Sequence, residues 1–324
     1  MTIYAVANEQ DSFQQCPHPN FNTNAVSSAD YNIATRFGGN ARVHLGTSVS
    51  ECWVHFSLYR IFPGVGSTTF PFLTLYNSST GKDAFRIYNT ATTAYFSCRY
   101  NSAGTTYTTI ASGASNTTNA VISVDLYFKR GASGALKLFV DRQLRIDTTG
   151  TYNTVDTTWD YLTLTGFITT MTWEYSNIIV SDVPMFDWEY QTLRPSAAGA
   201  VSGWTGDYTD LLDNAGKIDA TSAVFTDTAS DSFTMSYENM VTPQANHDIK
   251  AVAIAASGSI DSAASISNIA LYARHASTNY TLNNIGASAG NGPVRYSQVM
   301  ELNPVSAQWS ESDVNAIEFG GITS

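Results

Sequence analysis

Ala120-Val121-Ile122-Ser123-Val124-Asp125-Leu126-Tyr127-Phe128-Lys129-Arg130 is the stretch that decides the fold. Ile122, Val124, Leu126 and Phe128 recur at every second position, with Ser123, Asp125, Tyr127 and Lys129 between them. Successive side chains of a strand point to opposite faces. This alternation therefore predicts a strand with one face on a core and one half-solvated, as in an antiparallel sandwich. Gly131-Ala132-Ser133-Gly134 turns the chain, and Ala135-Leu136-Lys137-Leu138-Phe139-Val140 returns with Leu136, Leu138 and Val140 aligned. Asp141-Arg142 then makes a tight turn into Leu144-Arg145-Ile146.

The same signal runs outward in both directions. In Cys52-Trp53-Val54-His55-Phe56-Ser57-Leu58, the residues Val54, Phe56 and Leu58 share a face. Further strands are predicted at 71–76, 84–89, 94–100, 105–111, 161–168 and 171–181, short and separated by turn residues. Near 185 the composition shifts, and Thr192-Leu193-Arg194-Pro195-Ser196-Ala197-Ala198-Gly199 reads as an extended linker. A second strand-rich block follows at 222–226, 232–240, 248–256, 266–275, 278–283 and 293–302. The run 249–255 is apolar on both faces and is expected to be a central strand. A short helix is expected near the end: Ser310 as N-cap, Asp313 in the capping-box position, Trp309 and Val314 as a hydrophobic staple, and Gly320 as its left-handed stop. The expected fold is all-β, with two antiparallel β-sandwich (jelly-roll) domains in tandem and a short C-terminal helix. The domains are expected at 1–186 and 205–324, with a linker at 187–204.

Composition limits the function. The 324 residues are 43% hydrophobic and 12% aromatic, enough for real cores, but only 13% charged. The polar surface must come from Ser, Thr, Asn and Gly, which suit strands and turns. Low charge also reduces repulsion between neighbouring copies, as in an assembly. Sixteen Lys and Arg against 27 Asp and Glu give a net charge of −11, which repels phosphate backbones and argues against nucleic-acid binding. No apolar stretch is long enough to span a bilayer, and Met1-Thr2-Ile3-Tyr4-Ala5 lacks the basic start of a signal peptide, so synthesis in the cytoplasm is expected. The three cysteines, Cys16, Cys52 and Cys98, are not a disulfide framework. Cys52 and Cys98 sit in strand-like runs and are expected to be small buried hydrophobes.

Two resemblances add to this reading. Ser123 to Gly131, followed by Leu136-Lys137-Leu138-Phe139-Val140-Asp141-Arg142, resembles the core hairpin of concanavalin A-like (laminin-G-like) jelly rolls, with Arg142 where that family usually has Gly. Trp173 to Asp182, then Thr192-Leu193-Arg194-Pro195 and Gly203-Trp204-Thr205-Gly206, is similar to a family of phage and gene-transfer-agent structural proteins. Tyr296 to Pro304 and Gln308 to Gly320 are similar to that family's closing strand and helix. The resemblance implies a bacteriophage virion protein of the tail or its appendages, assembled in the host cytoplasm. It implies a homo-oligomer with other virion proteins as partners, active in subunit packing or host-surface contact, and no catalytic residues.

The residues also bound the chemistry that the chain can carry. Glycoside hydrolases need two carboxylates facing one cleft, which on a strand means acidic residues two or four apart. Asp187-Trp188-Glu189 comes nearest and lies at the domain boundary. Asp207, Asp210, Asp213 and Asn214, or Asp227 with Asp231, match no loop of known calcium-ligand spacing. The histidines at 18, 44, 55, 247 and 275 show no zinc-binding spacing, and Gly64-Val65-Gly66 lacks the residues of a phosphate loop. The expectation is therefore no enzyme, with no catalytic, cofactor or metal residues. Tyr76, Tyr88, Tyr95, Tyr100 and Tyr107 remain, as rings that could stack on sugars. They carry the alternative: a lectin-like carbohydrate-binding adhesion module with a host-surface glycan as partner.

Overall fold

The computed structural model describes residues 1–7, 35–36, 40–61, 70–89, 95–115, 121–165, 167–168, 171–186, 188, 191–211, 223–243, 247–262, 265–287, 289–290 and 294–324. They form two compact units, Met1–Tyr190 and Gln191–Ser324. Both are built of antiparallel sheets, so the all-β sandwich expectation holds.

The first unit is two sheets face to face. One runs in the order β1 (Ile3–Ala7), β14 (Met171–Ser181), β4 (Glu51–Ile61), β9 (Val121–Lys129), β10 (Gly131–Val140) and β11 (Gln143–Tyr152), with β2 (Thr35–Arg36) and β13 (Phe167–Ile168) also paired to β14. The other runs β3 (Asn40–Val49), β12 (Trp159–Thr165), β5 (Phe70–Asn77), β6 (Lys82–Asn89), β7 (Tyr95–Asn101) and β8 (Tyr107–Ser115). Ile122, Val124, Leu126 and Phe128 point into the core, as their alternation predicts. Phe128 stacks on Phe85 of the opposite sheet at 4.4 Å between ring centres. Tyr175, fully buried on β14, directs its hydroxyl at the carbonyls of Phe72 (3.0 Å) and Thr165 (2.8 Å), tying the sheets together.

The hairpin turn between β10 and β11 is left-handed at both central residues, with φ of 50° at Asp141 and 61° at Arg142. That is the two-residue geometry whose twist matches the strands. Asp141 helps to fix it by accepting a hydrogen bond from the Ser123 amide at 2.9 Å.

One expectation on this hairpin is corrected. Asp125, assigned to a half-solvated face, is 1% exposed and bonds Nδ1 of buried His55 at 2.7 Å. The outer face here is covered: Phe186 packs edge-on against Trp53 and Phe139, and neighbouring Met185 is buried. Cys52 and Cys98 are buried free thiols, as expected, and burial pushes both up to about 12, so they stay protonated. Cys16 lies outside the described residues.

The second unit holds a five-stranded sheet in the order β15 (Pro195–Ser202), β16 (Ser232–Tyr237), β21 (Glu318–Thr323), β18 (Ile269–His275) and β19 (Thr278–Asn284). A ribbon of β17 (Val252–Gly258) and β20 (Val294–Met300) completes it. The segment read as linker, 187–204, thus contains a strand. Its Ser, Ala and Gly residues carry no apolar signal, and Pro195 is tolerated because it opens an edge strand. Of 222–226, Phe225 makes an isolated bridge to Thr205. The expected central strand at 249–255 is instead the start of the ribbon; its alanines look apolar in sequence, yet Ala255 is exposed.

Helix α1 (Glu311–Ala316) begins as expected: Ser310 accepts from the Asp313 amide at 3.2 Å and Asp313 returns a bond to the Ser310 amide at 3.0 Å. Trp309 and Val314 are both buried in the second core. Gly320 does not end the helix. Ile317 does so in extended conformation, and Gly320 lies inside β21, where a Cβ would run into the Phe233 carbonyl of β16.

Candidate functional site

The outer face of the sheet β3-β12-β5-β6-β7-β8 gathers arginines, threonines and aromatic rings in one place. Its inner positions are Val43, Leu162, Leu164, Leu73, Leu75, Phe85, Ile87 and Cys98, all in the first core. Alternation therefore sends their neighbours outward. Pairing then aligns those neighbours into one row across all six strands. Arg42 lies opposite Thr163, Thr163 opposite Thr74, Thr74 opposite Arg86, Arg86 opposite Arg99, and Arg99 opposite Thr109.

Aromatic rings border the row. His44, Tyr161 and Tyr76 are successive cross-strand partners on one side, with the His44 and Tyr161 rings 4.9 Å apart. Tyr88 and Tyr107 stand at 6.4 Å, edge to face, near the row's other end. Each arginine lies over a ring: Arg42 over Tyr76 at 4.2 Å, Arg86 over Tyr107 at 4.2 Å, and Arg99 over Tyr88 at 4.6 Å. This stacking holds the planar guanidinium groups in place while their N–H edges remain able to donate.

Asp83 organises one end. It accepts Nε of Arg86 at 2.7 Å, pairs with a second guanidinium nitrogen of Arg86, and accepts the Tyr107 hydroxyl at 2.9 Å. Arg86 also donates to the Tyr88 oxygen at 3.1 Å. Burial alone would lower the Arg86 pKa, but its bonds to Tyr88 and Asp83 and the Asp83 charge outweigh that and raise it. Burial, then the Asp83 charge and hydrogen bond, push the Tyr107 phenol well above its ordinary value, so it remains a donor. Tyr161 is raised by burial and then by Asp160.

Thr163 forms part of the floor of the row. It is 7% exposed, and its hydroxyl is buried with no hydrogen-bond partner among the described residues. Leaving a buried hydroxyl unpaired is costly, about 1–3 kcal/mol. This one sits between Arg42 and Thr74 on the outward side.

Of the five tyrosines singled out in the sequence, Tyr76, Tyr88 and Tyr107 reach this face. Tyr100 packs against the core instead, and the Tyr95 side chain lies outside the described residues. The arginines were missed. Each stands singly in the sequence, and the row exists only through pairing of strands distant in the chain.

The calcium candidates are accounted for by local bonds. Asp207 accepts the Thr209 amide at 2.7 Å, and Asp210 the Asp207 amide at 2.9 Å. Asp231 accepts the Thr226 hydroxyl at 2.8 Å. Asp213, Asn214, Asp187, Glu189, His18 and Gly64 to Gly66 lie outside the described residues. Among the described residues, no three His, Cys, Asp or Glu side chains are grouped to hold a metal ion, and no helix is long and apolar enough to cross a membrane.

No protein-family model and no curated protein matches the chain. Solved structures are similar to about half of the chain at low identity. An endo-β-1,4-glucuronan lyase from the fungus Trichoderma reesei is 10% identical, with a TM-score of 0.36 over 56% of this chain and 89% of that one. The carbohydrate-binding module CBM66 from Bacillus subtilis is 15% identical, with a TM-score of 0.33 over 48% of this chain and 90% of that one. The alginate lyase Aly36B is 12% identical, with a TM-score of 0.36 over 56% of this chain and 97% of that one. The expectation that the chain is no enzyme does not hold on the ground given for it. That expectation rested on a missing carboxylate pair, and such a pair is a requirement of glycoside hydrolysis, not of every reaction on a polysaccharide.

Proposed function

We propose that the first unit binds carbohydrate on the outer face of the sheet β3-β12-β5-β6-β7-β8. The observation that carries this is the six-strand row of Arg and Thr side chains bordered by tyrosines. Sugars offer hydroxyl groups in a ring plane, and this face offers planar donors, hydroxyls and aromatic walls together. The tyrosines act differently from the stacking platforms read in the sequence. Tyr76, Tyr88 and Tyr107 each have one face occupied by an arginine, so they serve mainly to position donors.

Thr109→Val tests this. Thr109 is the exposed member of the row on β8, opposite Arg99, and the substitution keeps the side-chain shape while removing the hydroxyl. Stability is expected to change by less than about 0.5 kcal/mol in urea denaturation, while glycan affinity falls roughly fivefold on an array and in affinity electrophoresis. Unchanged affinity would count against the site.

The ordered sequence resemblance to phage structural proteins favours a second reading on a different level: the binding face belongs to a virion appendage. In that setting the chain co-purifies with particles at a fixed copy number. Its recovery only as free protein would remove this setting and leave the binding proposal intact.

A further inference from the structure

We infer that the glycan is an anionic polysaccharide, bearing carboxylate or sulfate groups, which lies along the Arg-Thr row and so crosses the strands. This rests on the reading that the face binds carbohydrate. The chain holds 16 basic residues in 324 and carries a net charge of −11. Three of those basic residues, Arg42, Arg86 and Arg99, nevertheless fall in one row, where Asp83 pairs with Arg86.

The placement of Arg86 directly opposite Arg99 strengthens the inference. Like charges facing each other across paired strands destabilise a sheet. Asp83 bonds Arg86, whereas Arg99 makes a long bond of 3.4 Å to Ser97 Oγ and lies over Tyr88. An anionic group set over the pair relieves that repulsion. Paired strands lie about 4.8 Å apart, so Arg42 and Arg86, three strands apart, are separated by roughly 14 Å along the row. That separation suits charges repeated along an extended polymer better than one small anion. Between them lies the Thr74-Thr163 floor.

A nucleic acid also combines negative charge with planar rings. It is disfavoured here, because single-stranded bases bind by stacking on open aromatic faces, and one face of each of three tyrosine rings is taken.

The test uses the full chain against immobilised dextran and mannan as neutral polymers, polyglucuronate and alginate as carboxylated ones, dextran sulfate as a sulfated one, and oligo-dT. Binding is expected to a carboxylated or sulfated polymer, to weaken steeply with added salt, and to fall about tenfold in Arg99→Gln and again in Arg42→Gln, with Arg99→Lys retaining most of it. Whichever charged polymer responds identifies the anionic group. Thermal melts of each variant establish that it is folded. Binding confined to neutral polymers overturns the inference and leaves the carbohydrate reading standing. Binding to none of the polysaccharides overturns both. Charged polymers bound equally by the wild type and both Gln variants, or oligo-dT bound most tightly, also overturn the inference.

Discussion

Gly320→Val is expected to unfold the second unit while the first keeps its structure. Gly320 lies in β21, which is paired on both sides, with Thr234 of β16 and Tyr272 of β18 as its partners. A Cβ at this position meets the carbonyl of Phe233 and the Cα of Thr234. These are backbone atoms of a paired strand and cannot rotate away, so the ladder itself must move. Overpacking against side chains costs typically about 1–3 kcal/mol, and here the yielding element is a strand at the centre of its sheet, so the loss should exceed that range. Domains hold only about 5–15 kcal/mol in total. Hydrogen exchange read by mass spectrometry should show lost protection in peptides after 191 and unchanged protection before it. Gly104→Ala is the matched control: its φ of 78° brings modest strain, and nothing lies within 4 Å of the added carbon. A Gly320→Val protein with wild-type protection in β16 and β18 would show that the strands are less closely set than described.

Phe128→Ala should lower the stability of the first unit by about 3–5 kcal/mol, near the top of the range for core truncations. Phe128 is fully buried and meets Phe85 at 4.4 Å, Trp159 at 5.5 Å and Tyr152 at 6.3 Å between ring centres. Phe85 and Trp159 belong to the opposite sheet, so the cavity opens between the two layers and neither can close on it without bending. Urea unfolding followed by tryptophan fluorescence measures the loss. The same substitution touches function, because Phe85 is the residue before Arg86, and a shift of β6 displaces the row. Glycan affinity should therefore fall with stability. A loss under about 1 kcal/mol would mean that the layers close over the gap, contrary to the rigid packing expected of a protein interior.

Much of this architecture was legible before any coordinates. The alternation at 121–129 gives the strand, its inner face and the hairpin that follows, because a half-buried strand writes its burial pattern into every second residue. The capping box at Ser310 and Asp313 is equally local. What escaped depends on neighbours that no local pattern names. Asp125 reads as solvated until Phe186 and Met185 are seen to cover that face. Gly320 reads as a helix stop until β16 is found beside it. The functional face shows the limit most clearly. Alternation places Arg42, Thr163, Thr74, Arg86 and Arg99 outward on their own strands. Only the strand order, with β12 inserted between β3 and β5, puts them in line.

The edge formed by β15 carries one last consequence. It begins with Pro195, and its register shifts after Pro195 and again after Ala198. An incoming strand needs a straight ladder of free amides and carbonyls, and this edge offers an interrupted one. A net charge of −11 already keeps copies of the chain apart by repulsion, but salt screens that repulsion. The proline and the two irregularities add a geometric safeguard that salt does not weaken: they blunt this margin against edge-to-edge strand addition.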